Sequence, residues 1–156
     1  MANLLNSLFV TRLVPITKLL LLITSLGFLS SAIATPEDEV RAAAQLWIEG
    51  IGKGDADYMV SLYDEHAILH GTVSPVLREG PALIREYFQA TVATPPMMNF
   101  MEPMHIRVFG DTAVNTGNYL TTIGSNAPIT LRYSFVYHKV GDQWLIVDHH
   151  SSRMPE

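Results

Sequence analysis

Six histidines and no cysteine set the chemistry open to this sequence. Without cysteine there is no thiol nucleophile, no thiolate zinc site, no lipid-anchoring cysteine and no disulfide framework. Proton transfer would fall to His, Asp and Tyr. Asp148 and His150 stand at i and i+2, so on a strand they share one face, and a carboxylate there can hold an imidazole as a general base. No Ser or Lys nucleophile stands beside them, and the structural use of Asp148 is a cross-strand pair with Arg132. His149 points away from His150, to the opposite face. His66 and His70 lie four apart in a predicted strand and could begin a metal site, but no third ligand follows at zinc spacing, so neither a metal nor a cofactor is expected. Asp64 and Glu65 read as solvated charge at the end of a helix.

The elements that must position these groups fall into two blocks. Thr35-Pro36-Glu37-Asp38 is a helix start, with a Thr cap, Pro in the first turn and acids facing the dipole. Val40, Ala43, Ala44, Trp47, Ile48 and Ile51 then recur at the 3.6-residue period of an amphipathic helix. Gly50, Gly52 and Gly54 end it, and Asp55 caps a short second helix through Met59, Leu62 and Tyr63. Ala67 to His70 is a short strand. Gly80-Pro81 opens a third helix that buries Leu83, Ile84, Tyr87 and Phe88. Beyond Pro95-Pro96 the period becomes two. Strands are expected over Met104 to Phe109, Ala113 to Thr122, Ile129 to Lys139 and Trp144 to Ser151, separated by Gly110-Asp111, Gly124-Ser125-Asn126 and Gly141-Asp142. Helices first and strands last is the order of an α+β domain: three N-terminal helices on the concave face of a curved antiparallel meander, forming a cone.

Length and charge bound the partners. The chain has 156 residues and a formal net charge of −5, with no Lys or Arg run to neutralise phosphates, so nucleic acid is not an expected partner. Residues 1–34 have the order of a secretory signal peptide: Arg12 and Lys18, then the apolar run Leu19 to Leu29, then Ser30-Ser31-Ala32-Ile33-Ala34 with small residues at the cleavage positions. The alternative is a retained anchor, but about eleven apolar residues cover only half a bilayer core. Cleavage after Ala34 would release residues 35–156 as one acidic domain into a bacterial periplasm or the medium, with no stable membrane insertion.

The C-terminal block carries a family likeness. Arg132-Tyr133-Ser134-Phe135-Val136-Tyr137-His138-Lys139-Val140-Gly141-Asp142-Gln143-Trp144-Leu145-Ile146-Val147-Asp148-His149-His150-Ser151-Ser152-Arg153-Met154-Pro155 resembles the closing strands of the calcium/calmodulin-dependent protein kinase II association domain. Glu49-Gly50-Ile51-Gly52-Lys53-Gly54-Asp55 resembles that family's first inter-helix turn, and Glu102-Pro103-Met104-His105-Ile106 with Gly110-Asp111 its first long hairpin. The likeness runs from about Val40 to Pro155 and is closest to the bacterial stand-alone, SgcJ/EcaC-type members of the SnoaL-like and nuclear-transport-factor-2-like superfamily. It implies a cone-shaped α+β barrel, a homodimer or larger ring built through the sheet, and a pocket between helices and sheet. It does not imply a kinase, because no kinase catalytic motif is present.

The same resemblance implies a pocket face of Asn115, Gly117, Tyr119, Tyr133, Phe135, His149 and Ser151. The family's pocket arginines align with Tyr119, Phe135 and Ser151, so an anionic ligand is not expected, and an aromatic-lined pocket for an uncharged or apolar molecule fits better. His70, on a strand close to the helices, is expected as a polar contact near the pocket mouth. Strand parity puts Arg132, Trp144, Ile146, Asp148 and His150 on the outer face, a composition suited to a dimer interface. Three functions remain open: an exported, non-catalytic ligand-binding dimer; a SnoaL-like enzyme (isomerase, cyclase, dehydratase or oxidoreductase) with His149 as base and Tyr119 or Tyr133 stabilising an oxyanion; or a pure oligomerisation module.

Overall fold

The computed structural model describes residues 34–155. The leader and its cleavage site concern a stretch that lies, but for Ala34, outside those residues. Helix α1 (Pro36–Lys53) begins where the sequence places it. Thr35 Oγ1 accepts from the Asp38 amide at 3.2 Å and the Asp38 carboxylate accepts from the Thr35 amide at 3.0 Å, a reciprocal capping box. The Thr35 hydroxyl, donating at 2.7 Å, and the Thr35 amide hold the Asp38 carboxyl below its usual range. Gly54, at φ 72°, takes the left-handed turn that stops the helix. Asp55 caps α2 (Ala56–Ser61). Strands β1 (Tyr63–His70) and β2 (Arg78–Glu79) precede α3 (Gly80–Val92). The chain ends in β3 (Met97–Phe109), β4 (Thr112–Thr122), β5 (Ile129–Val140) and β6 (Gln143–Arg153). Among the described residues, no helix is long and apolar enough to cross a membrane.

The six strands form one curved sheet in the order β2-β1-β6-β5-β4-β3. From β3 to β6 it is the expected meander of antiparallel neighbours. The sheet is nonetheless mixed, because β1 runs parallel to β6. A helix and the whole meander separate these two strands, and only a connection of that kind can return a strand in the same direction. Tyr63, expected in the second helix, starts β1 instead. The helix stops at Ser61, and the Leu62 carbonyl accepts from the Ile146 amide at 3.0 Å, so pairing with β6 captures the segment. Asp64 and Glu65 therefore sit in the strand rather than at a helix end.

Strand β6 does not keep one alternation along its length. Val136 pairs with Asp148 but Tyr137 pairs with Ile146, leaving Val147 as an extra residue. This β-bulge reverses the alternation on one side of it. Trp144 and Ile146 thus join His149 and Ser151 on the inner, buried face, while Asp148 and His150 stay outside. Trp144, expected at the outer interface, is 7% exposed, and its Nε1–H donates to Glu39 of α1 at 2.9 Å. Lys139 Nζ donates to the same carboxylate at 2.6 Å, and the two donors hold Glu39 below its usual carboxyl range. Arg132 pairs with Ser152 rather than Asp148, since the tight Gly141-Asp142 turn and the bulge together set the register.

The helices bury Val40, Trp47, Ile51, Met59, Ile84 and Phe88 against the inner residues of the sheet in a single core. Helices α1 and α2 approach closely at Gly50, where an added Cβ would stand 2.5 Å from Met59 Sδ and 2.9 Å from the Tyr58 ring. Gly50→Ala is expected to destabilise the protein by about 1–3 kcal/mol through this overlap, outweighing the helix-propensity gain of roughly 1 kcal/mol. Urea denaturation followed by circular dichroism checks it, and an unchanged or raised midpoint would show that the two helices can part at no cost.

Candidate functional site

A cavity of about 290 Å³ opens between the C-terminal half of α3 and the ends of β4, β5 and β6. Its floor is Trp47 and Ile51 of α1, Phe88 of α3 and His149 of β6, all buried. Leu131, Met98, Tyr119 and Thr121 form the sheet wall, and the exposed Val73, Ile123 and Ile129 form the rim. The cavity is open at this end because the other end of the cone is filled. There Val40, Tyr137, Trp144 and Ile146 pack into the closed core. Among the described residues no Asp or Glu lines the cavity, and the one cation that does, Arg153, lies at the exposed rim.

His149 is a buried polar group set among aromatic rings. Its ring centroid lies 4.4 Å from that of Phe135 and 5.3 Å from that of Trp47, with Tyr63 stacked beside it. Burial, helped by the neighbouring His150 and His70, pushes its pKa down to about 3, so the imidazole is neutral at any physiological pH. A hydrogen-bonded relay engages its Nδ1. The Trp47 indole N–H can only donate, and it does so to Tyr63 Oη at 2.8 Å. Tyr63 Oη also lies 2.8 Å from His149 Nδ1, a contact that either tautomer of the imidazole can make. Burial raises the Tyr63 phenol well above its usual range, so it keeps its proton. His149 Nε2 is buried without a hydrogen-bond partner.

A second polar group sits on the sheet wall. Ser151 Oγ is in short hydrogen bonds with both Thr72 Oγ1 and Tyr119 Oη. Tyr119 also engages Thr72, so the three hydroxyls bond to one another as a closed cluster. Thr121 Oγ1, also on the cavity wall, is buried and unpaired. Chemically the site is therefore apolar and aromatic, with its hydroxyls tied to one another. It is poorly suited to abstracting a proton, because His149 Nδ1 is engaged by Tyr63 and Nε2 is buried.

The structure brings together only some of the residues that the sequence singled out. His149, Tyr119 and Ser151 line the cavity. Asn115, Tyr133 and Phe135 share the inner face with them but lie in the packed interior, where Tyr133 Oη donates to Asn115 Oδ1 at 3.1 Å. Gly117 faces Tyr133, whose hydroxyl an added Cβ would meet at 3.0 Å. His70 is away from the pocket mouth: it is exposed on the outer face, its ring 5.9 Å from that of His150, because Leu69 and not His70 has the inward parity of β1. Arg132, Asp148 and His150 are also on the outer face. There an open groove runs between His105, Arg132, Ser134 and His150. Among the described residues, no three His, Asp or Glu side chains converge as metal ligands would.

Sequence reasoning passed over Trp47, Tyr63, Thr72, Thr121 and Arg153. Two of these were within reach: Arg153 has the parity of His149 and Ser151, and Thr121 that of Tyr119. Thr72 and the Trp47–Tyr63–His149 relay join elements distant in sequence, and no spacing announces them.

The comparisons with known proteins agree on the frame. The family model described as "Calcium/calmodulin dependent protein kinase II association domain" matches residues 36–155. A crystal structure from Xanthomonas campestris that carries the name of such an association domain is 32% identical with a TM-score of 0.72, covering 76% of this chain and 88% of its own. A Streptomyces avermitilis protein named as a dehydratase of the NTF2-like family is 19% identical with a TM-score of 0.65 over 76% of this chain and 97% of its own. A Parabacteroides distasonis protein named as a ketosteroid isomerase is 20% identical with a TM-score of 0.67 over 80% and 92%. At those identities the last two speak for the fold alone. No curated protein matches significantly.

Proposed function

Because the chain belongs to the calcium/calmodulin dependent protein kinase II association domain family, we propose that it works as an exported homo-oligomeric domain that binds a small, uncharged, largely apolar or aromatic molecule in its cone, without kinase activity. One observation carries the binding role: between α3 and the sheet lies an open cavity of about 290 Å³ lined mainly by aromatic and aliphatic side chains. A preformed apolar cavity with a few polar groups on its wall is the usual form of a small-molecule site. The apolar lining, to which the described residues contribute no acid, favours an uncharged guest, since charge is expensive to bury without a counter-ion.

Assembly is proposed through the outer sheet face that carries Arg132, Asp148 and His150, with the groove beside them as the complementary surface. Export rests on the leader grammar of residues 1–34 alone. Catalysis with His149 as general base has less support, for Nδ1 is engaged by Tyr63 and Nε2 is buried.

Native mass spectrometry of the full chain, produced in a Gram-negative host and recovered from the periplasmic fraction, tests all three parts. The expected species is a dimer or a larger even assembly of residues 35–156, with an adduct that departs on gentle activation. A monomer would remove the assembly role, and an intact leader would remove the export role. The Leu131→Trp variant, which fills the cavity, is expected to lose the adduct; an adduct unaffected by it would place binding elsewhere.

A further inference from the structure

Three exposed histidines stand in one line across the outer face of the sheet. Strand pairing sets His70 beside His150, then Ser134, Thr116 and His105, one residue from each of β1, β6, β5, β4 and β3. The rings of His70 and His150 are 5.9 Å apart. The neighbouring line, read from β2 to β3, is Glu79, Ile68, Asp148, Val136, Val114 and Arg107. Its three aliphatic side chains are only half-buried, so a lone copy leaves them partly in water. That line also carries an acid at one end and a base at the other. A second copy related by a two-fold axis along the strands lies over it in reverse, with Glu79 of one copy over Arg107 of the other, so the face complements itself.

The same reversal brings His105 of the second copy beside His70, so imidazole meets imidazole. The charged groups around this line are Glu79 on β2, Asp148 on β6, Arg132 on β5 and Arg107 on β3, two acids against two bases, with His138 further along β5. The remaining acids nearby are engaged elsewhere. Asp64 and Glu65 meet His66 at the far end of β1, and Glu102 pairs with Arg41 of α1. The helices pack on the opposite face and bring no counter-charge to this one. Histidine is the side chain that gains charge as pH falls from 8 to 5, and in a two-fold pair every charge gained by one copy is gained by the other. We propose that mild acid releases the assembly: proton uptake by His70, His105 and His150 on both copies turns a self-complementary face into a repulsive one. The inference rests on the reading that copies pair through the outer sheet face.

The test is sedimentation equilibrium of the full chain, as recovered from the periplasmic fraction, at pH 7.5, 6.5 and 5.5, with circular dichroism at each pH. An assembly of two or more copies is expected at pH 7.5. Its dissociation constant is expected to rise about tenfold or more by pH 5.5, with the dissociated species keeping its native circular dichroism. Each imidazole that must stay neutral on pairing weakens association by up to about tenfold per pH unit. Raising the salt to 0.5 M at pH 5.5 is expected to restore part of the assembly by screening the repulsion. His70 and His150 are both exposed, so the double variant His70→Gln/His150→Gln is expected to fold and to assemble at pH 7.5. In it the rise in dissociation constant on acidification should shrink by about fivefold or more.

Failure of this inference and failure of the assembly reading look different. A monomer at pH 7.5 would remove the assembly and the acid release with it. An assembly of unchanged strength at pH 5.5 would keep the first and overturn the second. If the species released by acid is unfolded, the acid acts on the core around His149, and the histidine line is not a switch. A double variant that dissociates as the wild type does would overturn the role of His70 and His150.

Discussion

Trp47→Ala is expected to destabilise the protein by about 3–5 kcal/mol. Trp47 is 3% exposed, and its ring lies against Phe88, Tyr119, Phe135 and His149 at centroid distances of 6.4, 6.2, 5.4 and 5.3 Å. Removing the indole takes its packing from four rings at once and leaves a void beside a cavity that already exists. Surrounding side chains would have to cross that cavity to fill it, so little of the loss is recovered by collapse. The Tyr63 hydroxyl also loses its donor. Trp47→Phe keeps most of the ring area and loses the N–H, so it is expected to cost about 1–2 kcal/mol. Urea denaturation followed by circular dichroism at neutral pH measures both. An alanine variant within about 1.5 kcal/mol of the wild type would show that α1 is not packed on the sheet through this residue.

Mild acid is expected to weaken the fold through His149. Its pKa is about 3 when folded and an ordinary 6.5 when unfolded. Above pH 6.5 neither state holds the proton, and stability does not depend on this group. As pH falls below 6.5 the unfolded chain takes up a proton that the folded protein refuses, so stability is progressively lost until the folded pKa is reached. Each pH unit in that window corresponds to about 1.4 kcal/mol, so about 2 kcal/mol is expected to disappear between pH 6.5 and pH 5. The carboxyls of Asp38 and Glu39 are held below their ordinary values of 3.8 and 4.5, and their contributions are lost only at lower pH. His149→Gln cannot take up the proton and is expected to flatten the slope between pH 6.5 and 5. Denaturation midpoints at four pH values compare the two proteins, and parallel slopes would mean that another group carries the acid sensitivity.

The two predictions depend on parts of the protein that the sequence discloses to different degrees. Trp47 is visible as a core residue from helical spacing with Val40, Ala44 and Ile51, since a 3.6-residue period needs no partner to be recognised. Its indole N–H bond to Tyr63 is not visible, because Tyr63 is the first residue of β1 and a local reading continues the helix through it. The position of His149 on the inner face was legible from the closing block. The inner placement of Trp144, five residues earlier, was not. The alternation between them is broken at Val147, and a bulge depends on how β5 and β6 pair rather than on either strand alone.

Within residues 34–155 the sequence by itself determined the helix starts at Thr35 and Asp55, the turns at Gly110-Asp111 and Gly141-Asp142, the α+β order and the family. These are local in origin: caps, turn residues and periodicity act over a few neighbours in the chain. Tertiary structure alone decided three things: that β1 lies parallel to β6, that Asn115, Tyr133 and Phe135 fill the interior while Thr121 and Arg153 reach the cavity, and that Trp47 and His149 Nδ1 share the Tyr63 hydroxyl. Each depends on which distant segments come into contact. Trp47 and His149 meet across that hydroxyl although they stand 102 positions apart in the sequence.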